Sequence, residues 1–152
     1  MVTWTAFAEA APEMAEAGRR LFYQVGVGLG FLATLRPGGG PRLHPICPIV
    51  SEAGLHAFIQ PSPKRDDLIR RGQYALHAFP HEATDDEFAV LGRAVLVEDA
   101  AVGATVIAAF HRTADQEAEA TLFEFRIERA LLIAYRRRGD PQPDRRWWHA
   151  PR

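Results

Sequence analysis

The chain has 152 residues, of which 47% are hydrophobic and 24% are charged, and its formal net charge is −1. This length and composition predict one globular domain, 1–152, with a core large enough to fold without disulfides. The near-zero charge gives no long-range field to recruit nucleic acid or an anionic membrane surface, and the single cysteine, Cys47, excludes a disulfide framework and a multi-cysteine zinc site.

The first predicted element is an amphipathic helix over about residues 5–23, with Thr3 or Thr5 as its cap. Large apolar side chains recur there at helical spacing. Pro12 interrupts the pattern. Because proline lacks an amide hydrogen and clashes with the preceding turn, we expect a kink or two shorter helices.

Apolar runs separated by turn signals follow this helix. The runs 28–35 and 42–50 flank a glycine-rich turn at 37–41, so they predict a β-hairpin. A second turn at 52–54 leads into a strand at 55–60.

The middle of the chain predicts a short helix between strands. Residues 65–71 form this helix, with Ser62 as its N-cap and Pro63 at its first position. Strands are expected at 74–79 and 87–98, and Gly92 inside the second strand indicates a bulge or a tight bend.

The last third predicts one helix and two more strands. The helix covers 101–110, a polar segment covers 113–120, and the strands cover 121–127 and 130–135. A tail rich in proline and arginine follows from about residue 139 to residue 152. Six or more short strands with a few helices predict a mainly β, α+β protein with an antiparallel β-barrel.

Two patterns suggest functions that their context does not favour. The glycines at 26, 28 and 30 follow a helix and precede a strand, whereas a dinucleotide-binding turn runs from strand to helix. His77 and His81 lie at a strand end and in a turn, and no third ligand is apparent, so no metal site is expected.

The order of the remaining motifs resembles the pyridoxamine 5′-phosphate oxidase-like family of FMN-binding split barrels, over about two thirds of the chain. The motifs are a strand with Leu32-Ala33-Thr34, a glycine turn, a strand with two prolines at 41 and 45, the loop Ser62-Pro63-Lys64, and Leu91-Gly92-Arg93-Ala94. The resemblance implies an antiparallel split β-barrel that binds FMN.

The family places the flavin ring against one strand and its neighbour. Carried over to this sequence, the ring would contact the strand that corresponds to residues 44–49 and the strand beside it. The residues implied are His44, Pro45, Ile46 and Cys47, together with Phe58 and Ile59. Cys47, between two apolar neighbours, is interpreted as a buried small side chain rather than as a reactive thiol.

The Ser-x-Lys loop points independently to an anion site. A serine hydroxyl, free amides at a helix N-terminus and a nearby lysine together favour a phosphate. Lys64 would supply a charge-assisted hydrogen bond, and Arg65 is a second candidate cation. The alternative is a capped surface helix with solvated charges.

Two further residues are candidates for contact with the cofactor. Glu87 occupies the place of a flavin-contacting glutamine in the family's namesake oxidase, although an exposed strand residue would look the same. Trp147 and Trp148 either cover a flavin face or anchor the tail on the barrel. Two adjacent tryptophans in an extended segment cannot easily face the same pocket.

These features together predict an FMN-dependent oxidoreductase with an unknown small-molecule substrate, in which the flavin supplies the redox chemistry. The alternatives are a flavin- or haem-binding module without turnover, and a reductase that uses the deazaflavin F420. A homodimer with the cofactor between subunits is expected from the resemblance. With neither a secretory pattern nor an apolar run of about 20 residues, the cytoplasm is the expected location.

The resemblance does not extend to the substrate of the namesake oxidase. That enzyme carries an arginine where His44 aligns and a lysine where Ile49 aligns, so two cations near the flavin are missing. Efficient oxidation of pyridoxamine 5′-phosphate is therefore not expected.

Overall fold

A computed structural model describes residues 1–81, 83–110 and 117–152. These residues form four helices and eight strands. The helices are α1 (Trp4–Ala10), α2 (Pro12–Phe22), α3 (Pro63–Arg71) and α4 (Ala100–Phe110). The strands are β1 (Gly30–Leu35), β2 (Pro41–Ile46), β3 (Ile49–Ser51), β4 (Gly54–Ile59), β5 (Gln73–Ala78), β6 (Glu87–Leu96), β7 (Thr121–Ala134) and β8 (Asp144–His149). Among the described helices, none has the length and apolar character needed to cross a membrane.

The strands form one antiparallel sheet in the order β2-β1-β5-β6-β7-β4-β3, with β8 added to β7. Only Cys47 and Pro48 separate β2 from β3, so the chain itself joins the two ends of the sheet path. The sheet is thus a barrel that is split between β2 and β3. The predicted mainly β, α+β class and the antiparallel split barrel are confirmed.

The N-terminal helix breaks at Pro12, as predicted, into α1 and α2. The Thr3 hydroxyl caps α1 by accepting a hydrogen bond from the Ala6 amide at 3.2 Å. Trp4 and Phe7 of α1 are buried, and Trp4 meets Phe88 of β6 edge to face with centroids 6.2 Å apart. Both helices therefore pack on the sheet through aromatic side chains.

The bulge predicted at Gly92 is present, but its extra residue lies in the partner strand β7, and it explains one incorrect prediction. Register shifts between Leu91 and Gly92, so that Leu91 pairs with Arg129 while Gly92 pairs with Ile127. Glu128 is therefore an extra residue in β7, and the alternation of buried and exposed residues reverses there. The two strands predicted at 121–127 and 130–135 are in fact the single strand β7.

The C-terminal tail contains a strand that the sequence did not predict. β8 pairs with β7, and Trp148 packs on Phe7 with centroids 4.9 Å apart. The helix predicted at 101–110 is confirmed as α4. Of the predicted polar segment 113–120, residues 113–116 lie outside the described residues.

A second, smaller cluster of buried side chains holds α4 on the outside of the sheet. Val106 packs with Ile49 of β3 and Leu122 of β7, and the ring of Phe110 stacks on Phe58 at a centroid distance of 6.3 Å. These contacts place α4 beside β3, close to the split in the barrel.

Candidate functional site

The strand predicted to meet the flavin ring lies at the open edge of the barrel. Within the described part of the chain, β2 pairs with β1 alone and β3 with β4 alone, so the outer edge of each has no strand beside it. Alternate amide and carbonyl groups of such an edge can bind another molecule. On β3, however, the Val50 amide already donates to the Tyr23 hydroxyl at 2.9 Å. His44 is half-buried on this edge and Pro45 is exposed.

The other residues implied for the ring fall into two groups. Ile46 and Ile59 are core side chains, and Ile59 is only 1% exposed, so any contact with a ligand would use their backbone. Cys47 and Phe58 are half-buried, so Cys47 is less buried than the sequence predicted. These assignments remain predictions.

The first turn of α3 has hydrogen-bond donors that no side chain satisfies. Ser62 occupies the predicted N-cap position, but its hydroxyl donates to the Gln60 carbonyl at 2.7 Å and does not cap the helix. Pro63 follows at the first helical position, where no amide hydrogen is lost. The amides of Lys64 and Arg65 therefore lack a side-chain cap.

The two cations of this turn are also weakly paired. Arg65 Nε is buried without a hydrogen-bond partner, and its ion pair with Asp66 Oδ1 is long, at 3.8 Å. Lys64 is half-buried and takes part in no ion pair with the residues that the structure describes. The uncapped amides, the lysine and a guanidinium whose Nε has no hydrogen-bond partner are the kinds of donor that bind an anion.

Asp67, one turn further along α3, fixes this helix to the sheet. Its carboxylate accepts hydrogen bonds from Thr34 Oγ1 of β1 at 3.0 Å and from Arg42 Nε of β2 at 2.8 Å, and Arg70 lies 3.5 Å away. Burial alone would raise the pKa of Asp67, but these hydrogen bonds and the two arginine charges lower it below its ordinary value. The Asp67 cluster therefore positions the N-terminus of α3 beside β1 and β2.

Glu87 lies in a different cluster, at the start of β6. Its carboxylate accepts a hydrogen bond from the Tyr135 hydroxyl at 2.9 Å, and His77 Nε2 lies 3.4 Å from its second oxygen. The hydrogen bond to Glu87 is the largest cause of a raised pKa at Tyr135. In the described residues, none of these contacts connects Glu87 with the loop at Ser62.

Trp147 lies on the outer face of the sheet, 52% exposed, while its neighbour Trp148 points inward to Phe7. The two tryptophans of the extended β8 thus face opposite sides, as the sequence predicted. The pairing of six neighbouring strands aligns one residue from each in a row across the outer face of the sheet. From β2 to β8 this outward row is Pro45, Phe31, His77, Ala89, Leu131 and Trp147.

A cavity of about 1000 Å³ lies beside the split, between the end of α2, β3 and α4. Arg19 and Tyr23 line it from α2, Val50 and Glu52 from β3 and its turn, and Phe110 from α4. The sequence does not reveal this cavity, because its lining comes from three separate stretches of chain. Only the unusually apolar α4, with no charged residue, gave a signal.

Comparisons with known proteins agree with this architecture. No protein-family model and no curated protein matches the sequence. Solved structures do match. A haem-binding protein from Mycobacterium smegmatis superposes with a TM-score of 0.65 at 16% identity, over 86% of this chain and 57% of that chain. This chain thus spans little more than half of that protein.

Two further structures extend the comparison to flavin-related proteins. A protein from Clostridium acetobutylicum, related to general stress protein 26 and described as of the pyridoxinephosphate oxidase family, gives a TM-score of 0.60 at 12% identity, over 95% of this chain and 94% of that one. An FAD-binding protein from Mesorhizobium loti gives a TM-score of 0.56 at 22% identity, over 67% of this chain and 80% of that one. At these identities the likeness shows the fold alone, which is an antiparallel split barrel.

Proposed function

We propose that this protein binds FMN at the split of the barrel and acts as an FMN-dependent oxidoreductase on a small molecule. The observation that carries the proposal is the first turn of α3, where Arg65 Nε is buried without a hydrogen-bond partner and the helix has no side-chain cap. An unsatisfied buried donor costs about 1–3 kcal/mol, so its presence favours a ligand that satisfies it.

The residues present fit the two ends of FMN. Lys64, Arg65 and the free amides of α3 are suited to a phosphate, because each is a donor and two are charged. The edge of β2 has no strand beside it and offers backbone groups suited to the polar rim of a flavin ring, whereas on β3 the Val50 amide already donates to the Tyr23 hydroxyl at 2.9 Å. Phe58 is half-buried, and one face of its ring is already stacked on Phe110.

The flavin, when bound, supplies hydride or electron transfer, and the chain itself needs no nucleophile. The tasks left to the protein are to hold the phosphate at α3, to orient the ring along β2 and β3, and to admit a substrate. The cavity of about 1000 Å³ beside β3 is large enough for a small molecule and supports this arrangement.

The phosphate contact can be tested by replacing Lys64 with alanine. We expect Lys64→Ala to weaken the binding of FMN by about ten- to hundredfold, since a lost charge-assisted contact costs about 1.5–3 kcal/mol. Riboflavin, which has no phosphate, should lose much less affinity. Arg36→Ala removes an exposed cation in the β1–β2 turn and is the matched control. An equal loss for both flavins would show that Lys64 does not act on the phosphate.

A haem-binding module without turnover is the second candidate. It is supported by the fold likeness to a haem-binding protein from Mycobacterium smegmatis. A reductase that uses F420 is a third, implied by the sequence resemblance alone. The absorption spectrum and mass of the compound that copurifies with the protein distinguish FMN, haem and F420. Haem or F420 in place of FMN would overturn the proposed cofactor.

The proposed functional unit is a homodimer. The outward row of the sheet includes Phe31, stacked on Phe79 with centroids 4.3 Å apart, and the adjacent Leu43 is 63% exposed. Pairing of two copies through this face would bury these apolar side chains. Light scattering should return a dimer at micromolar concentration, and Leu43→Glu should shift it toward monomer, whereas Val25→Glu in an exposed loop should not. A monomer that still binds flavin tightly would contradict this prediction.

A further inference from the structure

His56 is a buried histidine that the proposed flavin site does not use. It lies in β4 opposite Glu124 of β7, with 1% of its surface exposed. Its Nδ1 has no hydrogen-bond partner. An unpaired buried polar atom is uncommon in a folded protein and calls for a physical explanation.

Glu124 shares the space beside this imidazole. Its Oε2 pairs with Arg126 Nε at 3.0 Å, while its Oε1 lies on the side of Gly54. A Cβ at position 54 would lie 3.3 Å from His56 Cε1 and 3.8 Å from Glu124 Oε1. Gly54 also has a φ of +129°, which favours glycine at this position whatever the space beside it.

His56 and Glu124 are part of the lining of a cavity of about 240 Å³ between the end of β6 and the start of α4. Its apolar walls are the side chains of Ala53, Val95, Leu96, Val97 and Val102. Glu98, Asp99 and Arg126 complete the lining. Three carboxylates against one guanidinium leave the cavity with an excess of negative charge.

We propose that this cavity binds a small organic cation that carries N–H donors on a short apolar body, such as a protonated primary amine. The imidazole of His56 would accept one N–H, the Glu124 carboxylate would accept another, and the valines would contact the apolar part. Burial lowers the pKa of His56, although the charge of Glu124 and the backbone of Gly54 oppose this, so the imidazole is neutral and able to accept. The proposal does not depend on flavin binding.

Titration with n-butylammonium, followed by calorimetry, tests the proposal. The unmodified protein should bind it, and His56→Leu and Glu124→Gln should each weaken binding by about tenfold or more. The matched controls are His149→Leu and Glu128→Gln, exposed residues outside this cavity, and neither should change binding. Butyrate, which has the same length and the opposite charge, should not bind.

A second measurement uses only the unmodified protein, in case a variant fails to fold. The ring nitrogen resonances of His56 should shift during the n-butylammonium titration, while those of His149 should stay in place. Absence of binding, equal binding by a folded His56→Leu variant, equal binding of butyrate, or an unmoved His56 resonance would each overturn the proposal. Because FMN is absent from all of these titrations, none of these outcomes bears on the proposed flavin site.

Discussion

Asp67 in α3 and His56 in β4 are both polar and both buried, with 3% and 1% of their surfaces exposed. Asp67 is surrounded by Thr34, Arg42 and Arg70, whereas Nδ1 of His56 has no partner. Arg65, two residues before Asp67 in the same helix, resembles His56, since its Nε is also buried without a hydrogen-bond partner. Satisfied polar groups stabilise this fold, and the two unsatisfied ones are where we propose that it binds ligands.

The largest expected effect is the loss of the Asp67 carboxylate. Asp67→Asn should lower the free energy of unfolding by about 3 kcal/mol, because it leaves Arg42 without its buried counter-charge. Urea denaturation at neutral pH measures the change. Asp66→Asn, one position away and exposed, is the control and should stay within about 0.5 kcal/mol of the unmodified protein.

The same pair of variants has a defined dependence on pH. The pKa of Asp67 in the folded protein is below its ordinary value of 3.8, so its stabilising effect is present above about pH 4 and is lost as the pH falls further. The gap in stability between the unmodified protein and Asp67→Asn should therefore close in acid. A constant gap down to low pH would show that the charge of Asp67 is not what stabilises the fold.

His56→Leu should have a smaller effect of the opposite sign. It removes an unpaired buried polar group and keeps a similar volume, so the free energy of unfolding should rise by about 1 kcal/mol. Because burial lowers the pKa of His56 below 6.5, the unfolded chain takes up a proton before the folded one, and the unmodified protein loses stability as the pH falls below that value. Denaturation at pH 7.5 and pH 5.5 should show the advantage of the variant growing in acid. A variant that is less stable than the unmodified protein would show that His56 supports the fold.

The smallest effect is expected at Arg65. Without ligand, Arg65→Gln should not lower the free energy of unfolding by more than about 0.5 kcal/mol, because the ion pair with Asp66 that it removes is long and partly exposed and Nε has no hydrogen-bond partner to lose. With saturating FMN, the unmodified protein should gain more in melting temperature than the variant, since a ligand stabilises the state it binds. Thermal melts with and without FMN make the comparison. If the variant without FMN lost much of its stability, Arg65 would be a structural residue like Asp67.

Most of the barrel could be predicted because its strands have strong local signals. Gly92 marked the bulge, Pro12 divided the first helix, and the glycine-rich turn at 37–41 joined a real hairpin. The bulge also caused the error in β7. Glu128 reverses the alternation of apolar and polar residues, so the sequence pattern predicts two strands instead of one. The strand β8 was missed because charged residues dominate it and only Trp148 is turned inward.

The candidate sites are less accessible to such reasoning. Ser62 and Lys64 form a local motif, so the sequence alone indicated an anion site at α3. Asp67 contacts Arg42 only because the fold brings α3 next to β2, which the sequence does not reveal. His56 has no sequence feature that distinguishes it from other polar residues in an apolar strand. Whether a buried polar group has partners depends on tertiary contacts, which periodicity and residue type do not report.

The position of β7 in the sheet has a consequence for biosynthesis. This strand, residues 121–134, hydrogen-bonds to β4, β6 and β8, whereas β4 ends at Ile59 and β6 ends at Leu96. During translation, the edges of β4 and β6 that β7 will cover leave the ribosome well before their partner does. During this interval the nascent chain has the edges of two apolar strands unpaired. Such edges promote aggregation, and chaperones protect them.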